Sequence, residues 1–336
     1  MELIPVRSLH VQSKTADNIL PEIVESIQVL SSPKPFVEAN TISSSLKEIK
    51  EHHIIPVFIK DNEPVISHAE FIETTLGVIN DIYVGETILK PNIRLSHPVK
   101  GRIPEAKSKA ANELLEREKT LYFERMAFIV ELPSIHTDIE GNRLNLTVGG
   151  VKAYNLDNLY NRQGADQHFK VFVGFKNLVC TNLCVSTDGL LGQLRVKTLE
   201  QLRSNIHSLL KDYNPVLFAE QLKQLQQYEL VEKQFAQLIG RCRMYKYLSE
   251  SNKMHIPSLQ FGDTQINAVC RDYYSDNSFC SNPDGSINLW KLYNLFTGAN
   301  KSTYIDNILD RGVNAFQLVR ELQYALQNKS RCWYLN

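Results

Sequence analysis

No two of the six cysteines form a Cys-x-x-Cys pair, and Cys180 and Cys184, four apart, lack the second pair that a zinc site needs. The sequence therefore predicts free thiols in a reducing, cytoplasmic compartment, not a disulfide framework, and implies no metal. The opening residues, Met1-Glu2-Leu3-Ile4-Pro5-Val6-Arg7, have no apolar run, which predicts no signal peptide. No stretch approaches the roughly eighteen apolar residues of a membrane span. There is no Gly-x-Gly-x-x-Gly and no P-loop, so no nucleotide cofactor is implied. Internal repeats and low-complexity tracts are also absent. Net charge is zero, with 37 Lys and Arg against 37 Asp and Glu. That removes bulk attraction to nucleic acid or membrane and leaves only local patches.

What remains is ordinary globular composition, 43% hydrophobic and 22% charged, in 336 residues. The length is that of about two domains. Three regions are expected: a loosely ordered segment at 1–35, a strand-rich α+β region at 36–197, and a helical region at 198–336 packed on the sheet. Runs of strands followed by runs of helices mean α+β, with a mixed or antiparallel sheet.

Within 1–35 a short amphipathic helix is expected at 20–29. Ser45 with Glu48 and Ser67 with Glu70 read as capping boxes that open helices. Strands are expected at 54–59, 88–97 and 122–132. The last is followed by a return strand carrying Leu144, Leu146 and Val148, in a hairpin with a long loop. Gly149-Gly150 reads as a bend or bulge. Residues 169–185 form the organising stretch: Phe169, Val171, Val173 and Phe175 alternate, and an apolar run with Cys180 and Cys184 follows, predicting central strand structure with both thiols buried. After Thr198 the period becomes 3.6. Helices are expected from a Thr198 cap, at 215–228, 230–247 and 264–275, from a Ser286 cap, and at 302–328.

Two groups of residues carry candidate chemistry. Six Lys or Arg and one acid, Glu105, lie between Lys90 and Lys109, with Lys100-Gly101-Arg102 and Lys107 at the centre. Arg241, Arg243 and Lys246 interleave with Tyr245 and Tyr247. Cations beside aromatics suit phosphate contact and base stacking, with Tyr154 a further stacking candidate. The plain alternative is solvated cations and helix-end charges that complement the dipole. The second group is polar and lies on apolar elements: Cys180, Thr181 and Asn182 with Asn294, and Asn300 and Lys301 at the same helix end. This reads as a buried network or a pocket lining. Trp290, Tyr293 and Phe296 share one helical face, chiefly a core stripe.

The stretches HIIPVFIKDNEPVISHAEFI (53–72), SHPVKGRIPEAK (96–107), LTVGGVKAYNLDNLY (146–160), VCTNLCV (179–185), QFAQLIGRCRMY (234–245) and SINLWKLYNLFTGANKS (286–302) resemble the uncharacterised domain-of-unknown-function family 3871 (DUF3871). That resemblance implies no activity. Cys180-Thr181-Asn182, with Trp290, Asn294 and Thr297, is more loosely similar to the phage- and plasmid-borne family DUF932, which implies a mobile-element setting. The leading expectation is a protein that binds DNA or RNA without intrinsic catalysis. Lys100, Arg102, Lys107, Arg241, Arg243 and Tyr245 would line one groove. The rivals are an enzyme with a pocket around Cys180, Asn182 and Asn294, and a protein-binding accessory factor using the helical half.

Overall fold

The structure is a computed structural model that describes residues 35–55, 65–158 and 165–336. The expected helix at 20–29 and most of the strand at 54–59 lie outside these residues. Phe36–Asn336 form one compact unit.

Eleven strands are found among the described residues: β1 (Thr41–Ser44), β2 (Asn92–Ser96), β3 (Val99–Arg102), β4 (Lys119–Tyr122), β5 (Arg125–Ile139), β6 (Asn142–Ala153), β7 (Gln167–Asn177), β8 (Leu183–Cys184), β9 (Leu190–Val196), β10 (Glu229–Leu230) and β11 (Ile287–Asn288). The helices are α1 (Leu46–His52), α2 (His68–Ile82), α3 (Tyr154–Asn158), α4 (Leu199–Asp212), α5 (Pro215–Gln224), α6 (Glu232–Tyr245), α7 (Glu250–Lys253), α8 (Asp263–Ser275), α9 (Leu289–Asn300) and α10 (Ile308–Asn328). The fold is α+β: an antiparallel sheet in the first half, and helices later. Seven strands run in the order β1-β2-β5-β6-β7, with β8 and β9 both on the outer side of β7. β3–β4 and β10–β11 are separate two-stranded pairs.

Local chemistry accounts for most element starts. Ser45 and Ser67 each accept from the backbone N–H three residues on, and Glu48 and Glu70 return the bond. Thr198 caps α4. The cap of α9 is Asn288 and not Ser286, because Asn288 Oδ1 takes the Lys291 N–H at 2.8 Å. α10 starts at Ile308, behind a tight turn at Ile305–Asn307.

The hairpin departs from expectation. β5 runs past Pro133 to Ile139, and the register slips between Leu132 and His136, where proline has no N–H to give the ladder. The loop is therefore two residues, not long. Glu140 and Gly141 both have positive φ, 47° and 73°, the pairing of a type I′ turn that matches strand twist.

Alternation gives each sheet face its partner. Phe128, Val130, Val148, Phe169 and Val171 join the main core, where α2 and α4 pack. Phe71 of α2 meets Phe128 and Phe169 edge-on at 5.1 and 4.9 Å between ring centroids. Ala127, Ile129, Val151 and Phe172 face the other way, against Ile305, Ile308, Leu309 and Val313 at the start of α10.

Gly149 and Gly150 make no bend; they sit mid-strand to admit aromatic rings. A Cβ on Gly150 would lie 2.4 Å from Phe71 Cζ and 2.8 Å from the Lys170 carbonyl. Gly150→Ala should therefore destabilise the fold by about 1–3 kcal/mol through overpacking. Urea denaturation measures this, and an unchanged midpoint would show that α2 can move aside at no cost.

Candidate functional site

The strand ends near Arg125 bring scattered basic residues into one row. Arg125 pairs with Ala153, and His168 pairs with Arg195. Lys152 opposite Phe169 sets Ala153 beside His168, so the row crosses four strands on one face. Two residues inward, Ala127, Val151 and Lys170 form the next row on that face. The face opens into a cleft of about 470 Å³ walled by Val151, Ala153, Leu156, His168, Lys170, Gly192, Gln193, Arg195, Gln260 and Asp310.

Neighbouring elements hold these groups. Lys170 is bound to the Asp310 carboxylate and the Asp306 carbonyl at the start of α10. Arg125 Nε donates to Asp306 Oδ2 at 2.8 Å. The Gln260 N–H donates to Asn314 Oδ1 at 2.9 Å, and Asn314 Nδ2 returns a 2.8 Å bond to the Ser258 carbonyl. His168 is oriented by Asp157, whose Oδ1 accepts its backbone N–H at 2.7 Å and lies 3.2 Å from Nδ1.

Behind the cleft, on the opposite face, lies a buried polar cluster. Lys152 is 0% exposed. Its Nζ is 3.3 Å from Asp157 Oδ2, 3.3 Å from Gln167 Oε1 and 3.9 Å from the Phe169 ring centroid. Tyr154 is fully buried, and its hydroxyl accepts the His68 N–H at 3.1 Å. The His53 and His68 rings stack at 4.9 Å. Both read as neutral: His68 Nε2 donates to the Phe123 carbonyl at 2.8 Å, and His53 Nδ1 accepts the Phe123 N–H at 3.1 Å. Burial is the main cause that lowers both. It takes His53 to about 4 and His68 well below the usual range, with His53 adding to the effect on His68.

The predicted site residues fall elsewhere or in other roles. Lys100 and Arg102 are exposed on β3, and Lys107 is exposed just beyond it. Arg102 donates to the Lys109 carbonyl, and Lys109 pairs with Glu118 at 2.5 Å. Arg241 donates to the Asn336 carbonyl at 2.6 Å and stacks 5.0 Å from the Trp333 ring. Arg243 is bonded to Asn267 Oδ1, and Tyr245 meets Trp333 edge-on at 6.3 Å. The start of α10 meets Lys170, and the segment after its end carries Trp333, on which Arg241 stacks. Arg125 is bonded to Asp306 just before the first turn of α10. The segment that follows the helix folds back through Ser330 N–H to the Ala325 carbonyl and carries Trp333 and Asn336. The helix is about 30 Å long. Among the described residues no hydrogen bond or ion pair joins Lys100 or Arg102 to Arg241 or Arg243. Tyr154, being fully buried, cannot stack a base.

Cys180, Thr181, Asn182 and Asn294 do come together, as a hydrogen-bonded network. Asn182 Nδ2 donates to the Asn294 carbonyl at 2.9 Å, and Cys180 Sγ lies 3.8 Å from Asn294 Oδ1. The Lys301 ammonium reaches the Cys180 carbonyl and, at 2.9 Å, Thr181 Oγ1. Thr181 has a φ of 60°, rare for a β-branched residue, and its N–H is fixed to the Asn177 carbonyl at 2.8 Å. Cys184 is buried, but Cys180 is only half-buried, because it sits in the turn before β8 and not within a strand. Burial pushes the Cys180 thiol up to about 11, so it is a protonated, poor nucleophile at neutral pH. The network ties the turn before β8 to α9.

Sequence reasoning missed Arg125, Lys152, Asp157, Lys170 and Arg195, which are single charges on separate strands or a short helix. The available signal was Lys152 inside the apolar run LTVGGVKAY. Among the described residues there is no group of three or more His, Cys, Asp or Glu placed to hold a metal. Nor is any helix there long and apolar enough to cross a membrane.

No curated protein and no solved structure matches the chain. A family model does match, over residues 17–335 and so nearly the whole sequence: the chain belongs to the family described as "Domain of unknown function, B. Theta Gene description (DUF3871)".

Proposed function

We propose that the protein binds nucleic acid, DNA or RNA, along the Arg125 end of the sheet. One observation carries the reading: Arg125, His168 and Arg195 share a row on one face. The β3–β4 hairpin leaves from the same strand ends and carries Lys100 and Arg102, with Lys107 beyond. Phosphates would follow this track from the hairpin to the cleft. The zero net charge makes binding local and dependent on these groups. The six unpaired thiols support a reducing, cytoplasmic setting. The mobile-element setting rests on the looser DUF932 similarity. The protonated Cys180 thiol, a poor nucleophile, gives the enzyme reading no support.

Anisotropy titrations with single- and double-stranded oligonucleotides across a salt series test the reading. Four phosphate contacts on a single strand predict a log–log slope of about −3. Replacing Lys100 and Arg102 together by Ala should shallow the slope by about 1.4 units. Replacing Arg241 and Arg243 should leave it unchanged. Absence of oligonucleotide binding at low salt would end this reading.

A further inference from the structure

We infer that the cleft seats a single nucleotide unit: a nucleoside monophosphate, free or at the end of a strand. This rests on the nucleic-acid reading in its choice of ligand class, but the cleft's own chemistry selects the unit. Its volume of about 470 Å³ lies within the roughly 300–1,000 Å³ span of small-molecule sites. Its wall is divided by chemistry.

On one side Arg195 faces His168 across the β7–β9 ladder. A guanidinium fork beside an imidazole matches the oxygens of one phosphate. On the other side the half-buried Leu156, with Val151 and Ala153 buried in the wall, offers aliphatic contact to a base. Gln193 and Gln260 add amides, each with a donor and an acceptor side by side, the pattern that reads a base edge. The Gln260 backbone is held in place by its N–H bond to Asn314 of α10.

Lys170 does not enlarge the anion site, because Asp310 already binds it. That acceptor-only carboxylate disfavours a ligand that is anionic all round and suits one with hydroxyl donors, as on a sugar. Inorganic phosphate lacks the base and the hydroxyls, and a nucleoside lacks the phosphate. A nucleotide uses every part of the wall.

Calorimetric titration of the full chain with the four nucleoside 5′-monophosphates tests this, with the nucleosides and inorganic phosphate in parallel. At least one monophosphate should bind, tenfold or more tighter than its nucleoside or phosphate alone. It should also displace a bound oligonucleotide. Gly192→Leu, whose Cβ would meet nothing closer than 3.4 Å, should project into the site and weaken monophosphate binding at least tenfold in protein that still melts cooperatively. If that variant does not fold, Gln193→Ala with Gln260→Ala should change the preference among the four bases. Comparing 5′-phosphorylated with unphosphorylated oligonucleotides separates a strand end from a free nucleotide. Salt-dependent oligonucleotide binding with no monophosphate binding or competition would overturn the inference and leave the nucleic-acid reading standing. Monophosphate binding with no oligonucleotide binding would do the reverse. If neither ligand binds, both fail.

Discussion

Replacing Asp157 by Asn is expected to lower folding stability by about 3–5 kcal/mol, the cost of leaving a buried charge without its counter-ion. Lys152 has no exposure, and the facing Asp157 side chain is nearly as buried. The ammonium stands on the sheet face that otherwise holds Phe128, Phe169 and Phe71, where water cannot screen it. An amide keeps the shape and one acceptor but loses the charge. The same carboxylate fixes the His168 backbone, so Asn also weakens the link between α3 and β7. Guanidinium denaturation measures the loss. The double change Lys152→Met with Asp157→Asn should lose less than the sum of the two singles, since removing both charges leaves no orphan. A loss below 1 kcal/mol for Asp157→Asn, or strict additivity, would show that the pair is not an ion pair.

Acid should weaken the protein as the pH falls below the ordinary imidazole range. His53 and His68 are both held below the ordinary imidazole value in the fold, mainly by burial. The sign follows from proton uptake. Below pH 6.5 the unfolded chain takes up protons on these rings while the folded chain does not, so stability present at neutral pH is lost as pH falls. For His53, whose folded value is about 4, the loss runs from pH 6.5 down to about 4. It reaches roughly 2 kcal/mol by pH 5, at about 1.4 kcal/mol per unit. His68 adds in the same direction. The groups facing them give little relief: Tyr122 and Tyr154 stack against His53, Lys152 is itself a cation that disfavours a charged His68, and the Phe123 carbonyl bond alone acts the other way on His68. The shifted carboxylates, Glu48, Glu118, Glu200 and Asp284, are all lowered, chiefly by hydrogen bonds to their charged forms. Urea midpoints from pH 7.5 to 5 should fall steadily, and His53→Phe should flatten the fall. A constant midpoint over that range would refute the account.

What was legible in the sequence is what depends on neighbours along the chain. The Ser45, Ser67 and Thr198 caps need only the next three residues, and the change of period after Thr198 marks the passage from sheet to helices. The α+β class followed from that order. What was illegible depends on register. Pro133 and the polar residues after it looked like a loop, because nothing local says that a strand resumes beyond a bulge. Gly149 and Gly150 looked like a bend, because Phe71 and Phe172, the rings that need the space, are distant in sequence. The Arg125, His168 and Arg195 row spans seventy residues and exists only once β5, β6, β7 and β9 are aligned. The cation groups that were visible, Lys100–Arg102 and Arg241–Arg243, were visible because they are adjacent in sequence, which says nothing about sharing a surface.

The way the seven-stranded sheet ends bears on how this chain keeps to itself in a crowded solution. Its middle strands are long, apolar and rich in β-branched residues, the composition that seeds intermolecular stacking when a border is left open. Among the described residues, one border is the four-residue β1. The other is divided: β8 covers Phe175 and Lys176 of β7, while β9 covers 167–172 through a register shift. Neither border offers a long flat row of unpaired N–H and C=O groups to a second molecule. Short, interrupted borders of this kind blunt strand-to-strand aggregation. The chain can therefore carry a strongly β-forming centre without the sticky rim that usually comes with it.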